Sequence, residues 1–206
     1  MNDKIDMPEE QPKKPAVSEK TKKLLWEIYD LLEVVATVTI VVMLGFSFLG
    51  RLNIVEGQSM DHTLAEGQYL FISDLFYEPA VGDIVVVHDV TADPYGDPIV
   101  KRVIATGGQS VEIDFNTWTL KVDGKVVEEP YRFLDPNYST LRAEYNMSID
   151  GIFHVIVPEN EIFVMGDNRN ASGDSRQVEI GTIDKRCVVG KAYLRLFPID
   201  EFGLLE

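Results

Sequence analysis

Residues 99–106 read Ile-Val-Lys-Arg-Val-Ile-Ala-Thr, an apolar, β-branched run interrupted by two cations. In a β-strand successive side chains point to opposite faces, so Ile99, Lys101 and Val103 share one face while Arg102 points to the other. The run therefore predicts a strand in which one lysine shares a face with apolar neighbours.

Similar short apolar runs recur from residue 69 to residue 197, separated by turn-forming residues. Asp123-Gly124, inside one of them, is a strong hairpin signal. After Arg51 no uninterrupted amphipathic helical pattern of ten residues or more occurs. The sequence predicts a mainly β, antiparallel domain over 51–206. The other runs are YLFIS (69–73), DIVVVHDV (83–90), WTLKVDGKVV (118–127), IFHVIVPENEIFVM (152–165) and CVVGKAYLRLF (187–197).

Residues 116–149 differ from the rest of this domain, because they combine the hairpin with Pro130, Pro136, Asn137 and several tyrosines. Such a stretch is typical of an insertion or a long loop. We predict an inserted β-hairpin subdomain there.

The stretch Val34–Gly50, VVATVTIVVMLGFSFLG, carries no charge, and Leu31 and Leu32 extend it upstream across Glu33. A membrane-spanning helix needs about 20 mostly apolar residues. A cleaved secretory signal and a buried core helix are the alternatives. We predict a transmembrane anchor helix at 24–50.

Basic residues are distributed unequally around this segment. After it only Arg51 occurs before Lys101, whereas six lysines precede it, so the cationic bias predicts a cytoplasmic N-terminus and an extracytoplasmic domain. Residues 1–23, rich in Pro, Lys, Glu and Asp, are predicted to be a disordered cytoplasmic tail. The preceding lysines include Lys13, Lys14, Lys20, Lys22 and Lys23.

Composition narrows the choice of partners. The chain has 19 Lys and Arg residues against 34 Asp and Glu residues, a formal net charge of −15, which opposes binding to nucleic acid or anionic lipid. Neutral or basic polypeptides are the expected partners. The single cysteine, Cys187, cannot form an intrachain disulfide.

Two stretches contain candidate nucleophilic chemistry. In VEGQSMDHTLAEGQ (55–68), Gly57 would permit close backbone approach and expose the hydroxyl of Ser59, although a serine beside glycine is usually only a turn residue. Desolvation of Lys101 would lower its pKa and let its amine accept the serine proton. Ion-paired or snorkelling lysines are nevertheless commoner. Arg102 cannot be the base, because guanidinium stays protonated.

A third stretch, MGDNRNASGDSRQVEIG (165–181), follows the apolar run EIFVM directly. Its polar residues supply many hydrogen-bonding groups at the edge of a β core. It is consistent with a solvated turn and equally with a scaffold that orients a nearby site. The pattern alone does not choose between them.

Taken together and in this order, the apolar segment, EGQSM, GDIVVVH, VKRVIA and MGDNRNASGDSR resemble bacterial type I signal peptidases, which cut signal peptides from exported proteins. The resemblance covers nearly all of the chain from the apolar segment to about Leu196. The last stretch is long and specific, and it occurs here together with Ser59-Met60 and Lys101-Arg102.

The resemblance implies a serine endopeptidase with a Ser/Lys dyad, in which Ser59 is the nucleophile and Lys101 the general base. Ser59 would attack the scissile carbonyl, Lys101 would take its proton, and lysine-activated water would release the acyl-enzyme. The Ser59 N–H would help to hold the oxyanion. No cofactor and no metal are expected. The family's supporting residues fall on Ser172, whose hydroxyl orients the lysine amine, and on Met60, Asp174 and Arg176.

The chain departs from the family pattern in three places. Gly57 stands where some members have a serine that serves as a second oxyanion donor, so that donor is unassigned. The family's SM-x-P-T-L reads SMDHTL, with His62 in place of proline, and its KRVIG-x-PGD reads KRVIATGGQ. A lone loop histidine is more often solvated than catalytic, and the missing prolines predict altered turn geometry near the site.

The resemblance also implies a substrate and a location. The substrates would be exported preproteins with small residues one and three positions before the cut, bound as an added strand. Ser59 lies only eight positions after Arg51, at most about 26 Å along the chain, so the site would work close to the lipid bilayer. The family's endoplasmic-reticulum branch has histidine in place of the lysine, so Lys101 implies a bacterial cell membrane.

Two other functions are compatible with the pattern. A self-cleaving regulator could use the same Ser/Lys chemistry, although the anchor and the lack of a DNA-binding helix pair argue against it. A catalytically silent membrane-anchored binding protein could keep the fold. Retention of Ser59, Lys101 and Ser172 together argues against that second possibility.

Overall fold

The computed structural model describes residues 18–88, 96–136, 148 and 150–205. The chain divides into two compact units, Met1–Gly45 and Phe46–Glu206. Most of the tail predicted at 1–23 lies outside the described residues. Residues 19–23 form the first turns of the helix α1 (Glu19–Leu49), where Lys22 pairs with Glu19 at 2.7 Å.

The helix α1 has the length and composition needed to cross a membrane. Its residues Glu19–Gly45 include an 18-residue stretch of mean hydropathy 1.9, none of which is buried. At 1.5 Å per residue, these 27 residues extend about 40 Å, more than the thickness of a hydrocarbon core. Thr39 donates its hydroxyl to the carbonyl of Val35 (2.7 Å), which satisfies that polar group inside the helix, as a membrane requires.

The second unit is built from short strands rich in Val, Ile, Phe and Tyr, which suit a pleated, half-buried surface. Its strands are β1 (Arg51–Ile54), β2 (Tyr69–Ser73), β3 (Ile84–Val87), β4 (Ile99–Thr106), β5 (Ser110–Asp114), β6 (Thr119–Val122), β7 (Lys125–Val126), β8 (Ile152–Ile156), β9 (Glu161–Met165), β10 (Ile183–Asp184), β11 (Val188–Phe197) and β12 (Gly203–Leu204). Short 3₁₀ helices occupy Lys185–Cys187 and Ile199–Glu201.

The larger sheet has the strand order β1-β2-β11-β3-β4-β9-β10, and β12 pairs with β11. Its neighbouring strands all pair antiparallel. Register shifts interrupt the pairing of β11 with β2 and with β3, and another lies between β4 and β9. Such bulges bend and twist the strands, so the sheet curls.

The smaller sheet, in the order β7-β6-β5-β8, is inserted between two neighbouring strands of the larger one. The chain leaves the larger sheet at the end of β4 and returns to it at the start of β9. The prediction of a mainly antiparallel β fold, with an insertion and one N-terminal apolar helix, is confirmed. Residues 116–149 fall within this excursion, although 137–147 and 149 lie outside the described residues.

The strand β3 lies at the centre of the core and is buried on both faces. Ile84 and Val86 pack in one apolar cluster, whereas Val85 and Val87 pack in another on the opposite face. A strand covered on both sides reads as a continuous apolar run, which explains the sequence IVVV. A third cluster, built around Phe115, Trp118, Phe153 and Phe163, fills the space beneath the smaller sheet.

Candidate active site

Ser59 begins a turn, here called the serine turn (residues 59–64), within the connection between β1 and β2. Val55 N donates to Gln68 O at 2.9 Å and continues the pairing of these strands. Met60 and Leu64 are fully buried, and Leu64 N donates to Met60 O at 2.8 Å. Buried Met60 therefore holds the half-buried Ser59 at the edge of the core.

Lys101, on β4, brings its amine to Ser59. Its Nζ lies 2.6 Å from the Ser59 Oγ, and the lysine is only 4% exposed. The register places Lys101 opposite Val85, and cross-strand partners share a face. Val85 and Val103, both fully buried, therefore border the lysine, as the period of two predicts.

The surroundings of Lys101 change its acidity. Burial lowers the pKa of Lys101 to about 8, because an apolar environment disfavours the charged ammonium. The Arg176 guanidinium contributes to this lowering of the Lys101 pKa, whereas the carboxylates of Asp174 and Asp167 oppose it. Near pH 8 about half of the amines are neutral and able to accept a proton.

The polar loop (residues 166–176) follows β9 and contains a buried ion pair. Arg176 donates to both oxygens of Asp174, from Nε and from a terminal nitrogen, at 2.7 Å each, and neither side chain is exposed. Ser172, also fully buried, contributes a hydrogen bond to Asp174. Burial raises the pKa of Asp174, but the charge and hydrogen bonds of Arg176 outweigh that effect and hold it below its ordinary value.

Gly166 permits the polar loop to lie directly against the serine turn. A Cβ on Gly166 would overlap the backbone oxygen of Ser59 and the hydroxyl oxygen of Ser172. The Gly166 N–H donates to Asp174 at 3.0 Å. Only glycine allows this approach, so Ser59 and Ser172 can both lie directly against residue 166.

A second set of buried charged groups, centred on Asp167, connects the serine turn to β4 and to the polar loop. Arg102 donates to both carboxylate oxygens of Asp167 at 2.8 and 2.9 Å, and Thr63 donates its hydroxyl to Asp167 at 2.6 Å. Asn168 donates its backbone N–H to the Ser59 carbonyl and its side-chain amide to that of Gln58, each at 3.0 Å. One strand, one turn and one loop are thereby locked together.

A bracing segment (residues 129–135), part of the excursion between β4 and β9, lies along the polar loop. Tyr131 stacks on the Arg102 guanidinium, with 4.0 Å between the ring centroid and Cζ. Arg169 forms a buried ion pair with Glu129. Phe133 N donates to Asp167 O, and Arg169 N donates to Phe133 O, each at 2.8 Å. The insertion thus contributes directly to the surroundings of the site.

The structure brings the residues predicted from the sequence into one region. Ser59 and Lys101 are in hydrogen-bonding contact, and Met60 lies in the core beside them. Ser172, Asp174 and Arg176 share the polar loop. Among the described residues nothing accepts a hydrogen bond from the Ser59 N–H, which leaves it available to an oxyanion.

Sequence reasoning missed the supporting charges. The positions of two of these charges could have indicated their role. Asp167 closely follows the strand EIFVM, and Arg102 lies on the face of its strand opposite Lys101. A charged group beside a buried strand needs a partner. Thr63 has the sequence context of an ordinary turn residue. Tyr131 and Phe133 had no signal in the pattern.

The departure at KRVIATGGQ has a local explanation. A Cβ on Gly107 would overlap the backbone of Glu159, so the proline of the family pattern would not fit here. The Gln109 side chain closes the turn instead, accepting from Thr106 N at 2.9 Å and donating to Asp123 at 3.1 Å. The turn is therefore held by hydrogen bonds rather than by a proline ring.

Comparison with known proteins agrees with this geometry. Residues 28–197 match the family described as signal peptidase, peptidase S26. The chain is 35% identical over 187 residues to a signal peptidase I of Bacillus licheniformis, covering 89% of this chain and 96% of the relative. It is 32% identical over 190 residues to a signal peptidase IB of Staphylococcus aureus, covering 85% and 93%.

A solved signal peptidase I from Enterococcus faecalis is 27% identical, with a TM-score of 0.40, and the match covers 56% of this chain and 97% of that one. The family match spans most of the chain, and two relatives exceed 30% identity over nearly their whole length. The chain therefore belongs to the signal peptidase family, peptidase S26, and is a serine endopeptidase.

Proposed function

We propose that this chain removes N-terminal signal peptides from exported preproteins, cutting after small residues, with Ser59 as nucleophile and Lys101 as general base. The observation that carries the proposal is the 2.6 Å contact between Lys101 Nζ and Ser59 Oγ inside a site where only 4% of the lysine is exposed. Burial lowers the pKa of Lys101 to about 8, which makes a neutral amine accessible.

The reaction proceeds in two acyl transfers. Neutral Lys101 takes the Ser59 proton as Oγ bonds to the scissile carbonyl carbon, and the Ser59 N–H stabilises the oxyanion. The ammonium returns this proton to the leaving amine as the peptide bond breaks, which leaves an ester on Ser59. Water then loses a proton to Lys101 and attacks the ester, and the proton returns to Ser59 Oγ.

The polar loop supports this chemistry electrostatically. Ser172, by the family resemblance, orients the lysine amine, and its fully buried hydroxyl is held close to Asp174. The paired charges of Asp174 and Arg176 act on the Lys101 pKa in opposite directions. A fixed pair of charges therefore keeps the pKa of the Lys101 amine close to the pH at which the enzyme works.

The anchor sets the location. We assign α1 to a bacterial cell membrane, with a cytoplasmic N-terminus and the peptidase unit from residue 51 onward outside, because the lysines cluster before the apolar segment. Confinement to the bilayer places enzyme and preprotein in one plane, which raises their effective concentration. The acidic unit is not expected to bind nucleic acid.

A cleavage assay tests the proposal. The full chain in detergent is incubated with a preprotein bearing a signal peptide, and products of wild type, Ser59→Ala and Ser73→Ala are weighed by mass spectrometry. Ser73, on β2, supplies a serine hydroxyl that contacts only a local backbone N–H among the described residues, so its loss should leave cleavage unchanged. We expect cleavage after a small residue by wild type and Ser73→Ala only.

Cleavage by Ser59→Ala at the wild-type rate would overturn the assignment of the nucleophile. If several preproteins stay intact with folded wild type, the chain is instead a silent binding protein that keeps the fold. Accumulation of a shortened enzyme in the absence of substrate would favour a self-cleaving regulator.

A further inference from the structure

The serine turn is tied to the polar loop at both of its ends. At one end, Asn168 N donates to the Ser59 carbonyl at 3.0 Å. At the other, the Thr63 hydroxyl donates to Asp167 at 2.6 Å. His62 lies between these two ties and is exposed, at the position where the family pattern has a proline.

His62 makes a ring contact with the bracing segment. Its ring centroid lies 4.0 Å from that of Phe133, and the two planes are inclined by 77°. An edge-to-face arrangement of this kind is attractive beyond the apolar area that it buries. The imidazole therefore has a defined packing partner, although the residue is exposed.

Phe133 is a fixed support for this ring. Its N–H and carbonyl bond to Asp167 and Arg169, and it forms a parallel bridge with Asn168 between them. Bonds at both ends of the bracing segment secure it further: Glu129 pairs with Arg169, and Asp135 and Asn170 exchange two hydrogen bonds of 2.8 Å.

The contacts form a closed circuit. Ser59 bonds to Asn168, Asn168 lies against Phe133, Phe133 packs on His62, and His62 is joined to Ser59 along the chain by two residues. A turn held only at its ends can still shift in the middle. The ring contact removes that freedom on the side facing the bracing segment.

We propose that His62 is a positioning residue for Ser59. The His62 ring packs on Phe133 and thereby holds the serine turn in place, which is the role that we assign to the proline of the family pattern. This inference rests on the proposed peptidase function. The Ser59 hydroxyl must stay within hydrogen-bonding distance of the Lys101 amine, and small displacements of reacting groups lower rates steeply.

The contact requires an aromatic ring at position 62, not a titratable nitrogen. His62→Phe should therefore keep wild-type cleavage, and His62→Pro should restore rigidity through the backbone. His62→Ala has neither the aromatic ring nor the rigid proline backbone, so we expect kcat to fall about tenfold with KM unchanged. Phe133→Ala should produce the same loss, because it removes the other ring.

Double variants test whether the two rings act as a unit. Interacting residues give non-additive effects, so His62→Ala combined with Phe133→Ala should be no slower than either single variant. His62→Pro combined with Phe133→Ala should recover activity, because proline does not need the second ring. Phe76→Ala is the matched control, since Phe76 is 98% exposed and should not affect kcat.

Steady-state cleavage of one preprotein, with melting temperatures for every variant, decides the matter. Wild-type kcat in His62→Ala would overturn the inference, as would a loss in His62→Phe equal to that in His62→Ala, which would mean that the imidazole itself reacts. Failure of His62→Pro to rescue Phe133→Ala would also overturn it. No cleavage by wild type overturns the proposed function and this inference together, whereas active wild type with unaffected variants overturns the inference alone.

Discussion

Two of the three Asp-x-Arg stretches in the chain form an ion pair of nearly identical local geometry, one in the site and one on the surface. In each, the arginine Nε donates to one carboxylate oxygen and a terminal nitrogen donates to the other, at 2.7 and 2.7 Å in Asp174–Arg176 and at 3.0 and 2.7 Å in Asp184–Arg186. The first pair is fully buried, whereas Arg186 is 89% exposed. The same two-pronged contact forms in both places, and the two pairs differ in their burial.

The same contrast separates two lysines on one sheet face. The register aligns Lys191 with Val85 and Val85 with Lys101, so the lysines flank one valine. Lys191 is 27% exposed and pairs with Asp83 at 2.5 Å, whereas Lys101 is almost fully buried and contacts the Ser59 hydroxyl. A buried ammonium in contact with a neutral hydroxyl, as at Lys101, is driven towards its neutral form.

The largest effect should come from exchanging each lysine for arginine. Lys101→Arg keeps the charge but removes any accessible neutral form, so we expect cleavage to fall by at least about a thousandfold with the fold retained. Lys191→Arg can still pair with Asp83 and should cleave normally. Preprotein cleavage and circular dichroism measure both; an active Lys101→Arg would refute the assigned base.

The second-largest effect should be a difference in stability between variants of Arg176 and Arg186. Arg176→Met leaves the Asp174 carboxylate buried without its partner, and we expect a loss of about 3–5 kcal/mol in unfolding free energy. Arg186→Met breaks only a solvated pair, which commonly contributes nothing measurable. Denaturant titrations at pH 7 compare the two; equal losses would show that burial does not distinguish the pairs.

The smallest effect should be a gain in stability. The pKa of Lys101 is about 8 in the folded chain, against an ordinary value of 10.5 that applies to the unfolded chain, so below pH 8 folding is penalised by burying an ammonium. Lys101→Met removes this penalty and should be more stable than wild type by about 1–3 kcal/mol at about pH 6 to 7.

The sign of that gain follows from proton binding. Between pH 8 and 10.5 the unfolded chain binds more protons than the folded one, so wild-type stability rises with pH and the difference from Lys101→Met should shrink. Above pH 10.5 it should vanish. Melting temperatures across this range test the prediction, and a difference independent of pH would contradict it.

Much of the fold was predictable because its signals are local. The period of two in 99–106 placed Lys101 among apolar neighbours, and the uncharged stretch at Val34–Gly50 predicted the long apolar helix. The Asp123-Gly124 turn joins β6 to β7, as its hairpin signal indicated. Each of these features depends on residues within a few positions of one another.

The supporting part of the site was not predictable in the same way. Arg102 and Asp167 are 65 residues apart, and nothing near either one indicates the other. Phe133 packs on His62 across 71 positions, inside an insertion with no legible pattern. Pairing over such distances depends on how the strands register, which single residues do not encode.

The sequence by itself determined the strands, the apolar helix and, through family resemblance, the candidate site residues. The tertiary structure decided which lysine is buried so that its pKa falls, which Asp-x-Arg pair is buried, and which contacts hold the serine turn. The physical reason is that desolvation and packing depend on what surrounds a group in three dimensions, whereas propensity and periodicity depend only on its neighbours along the chain.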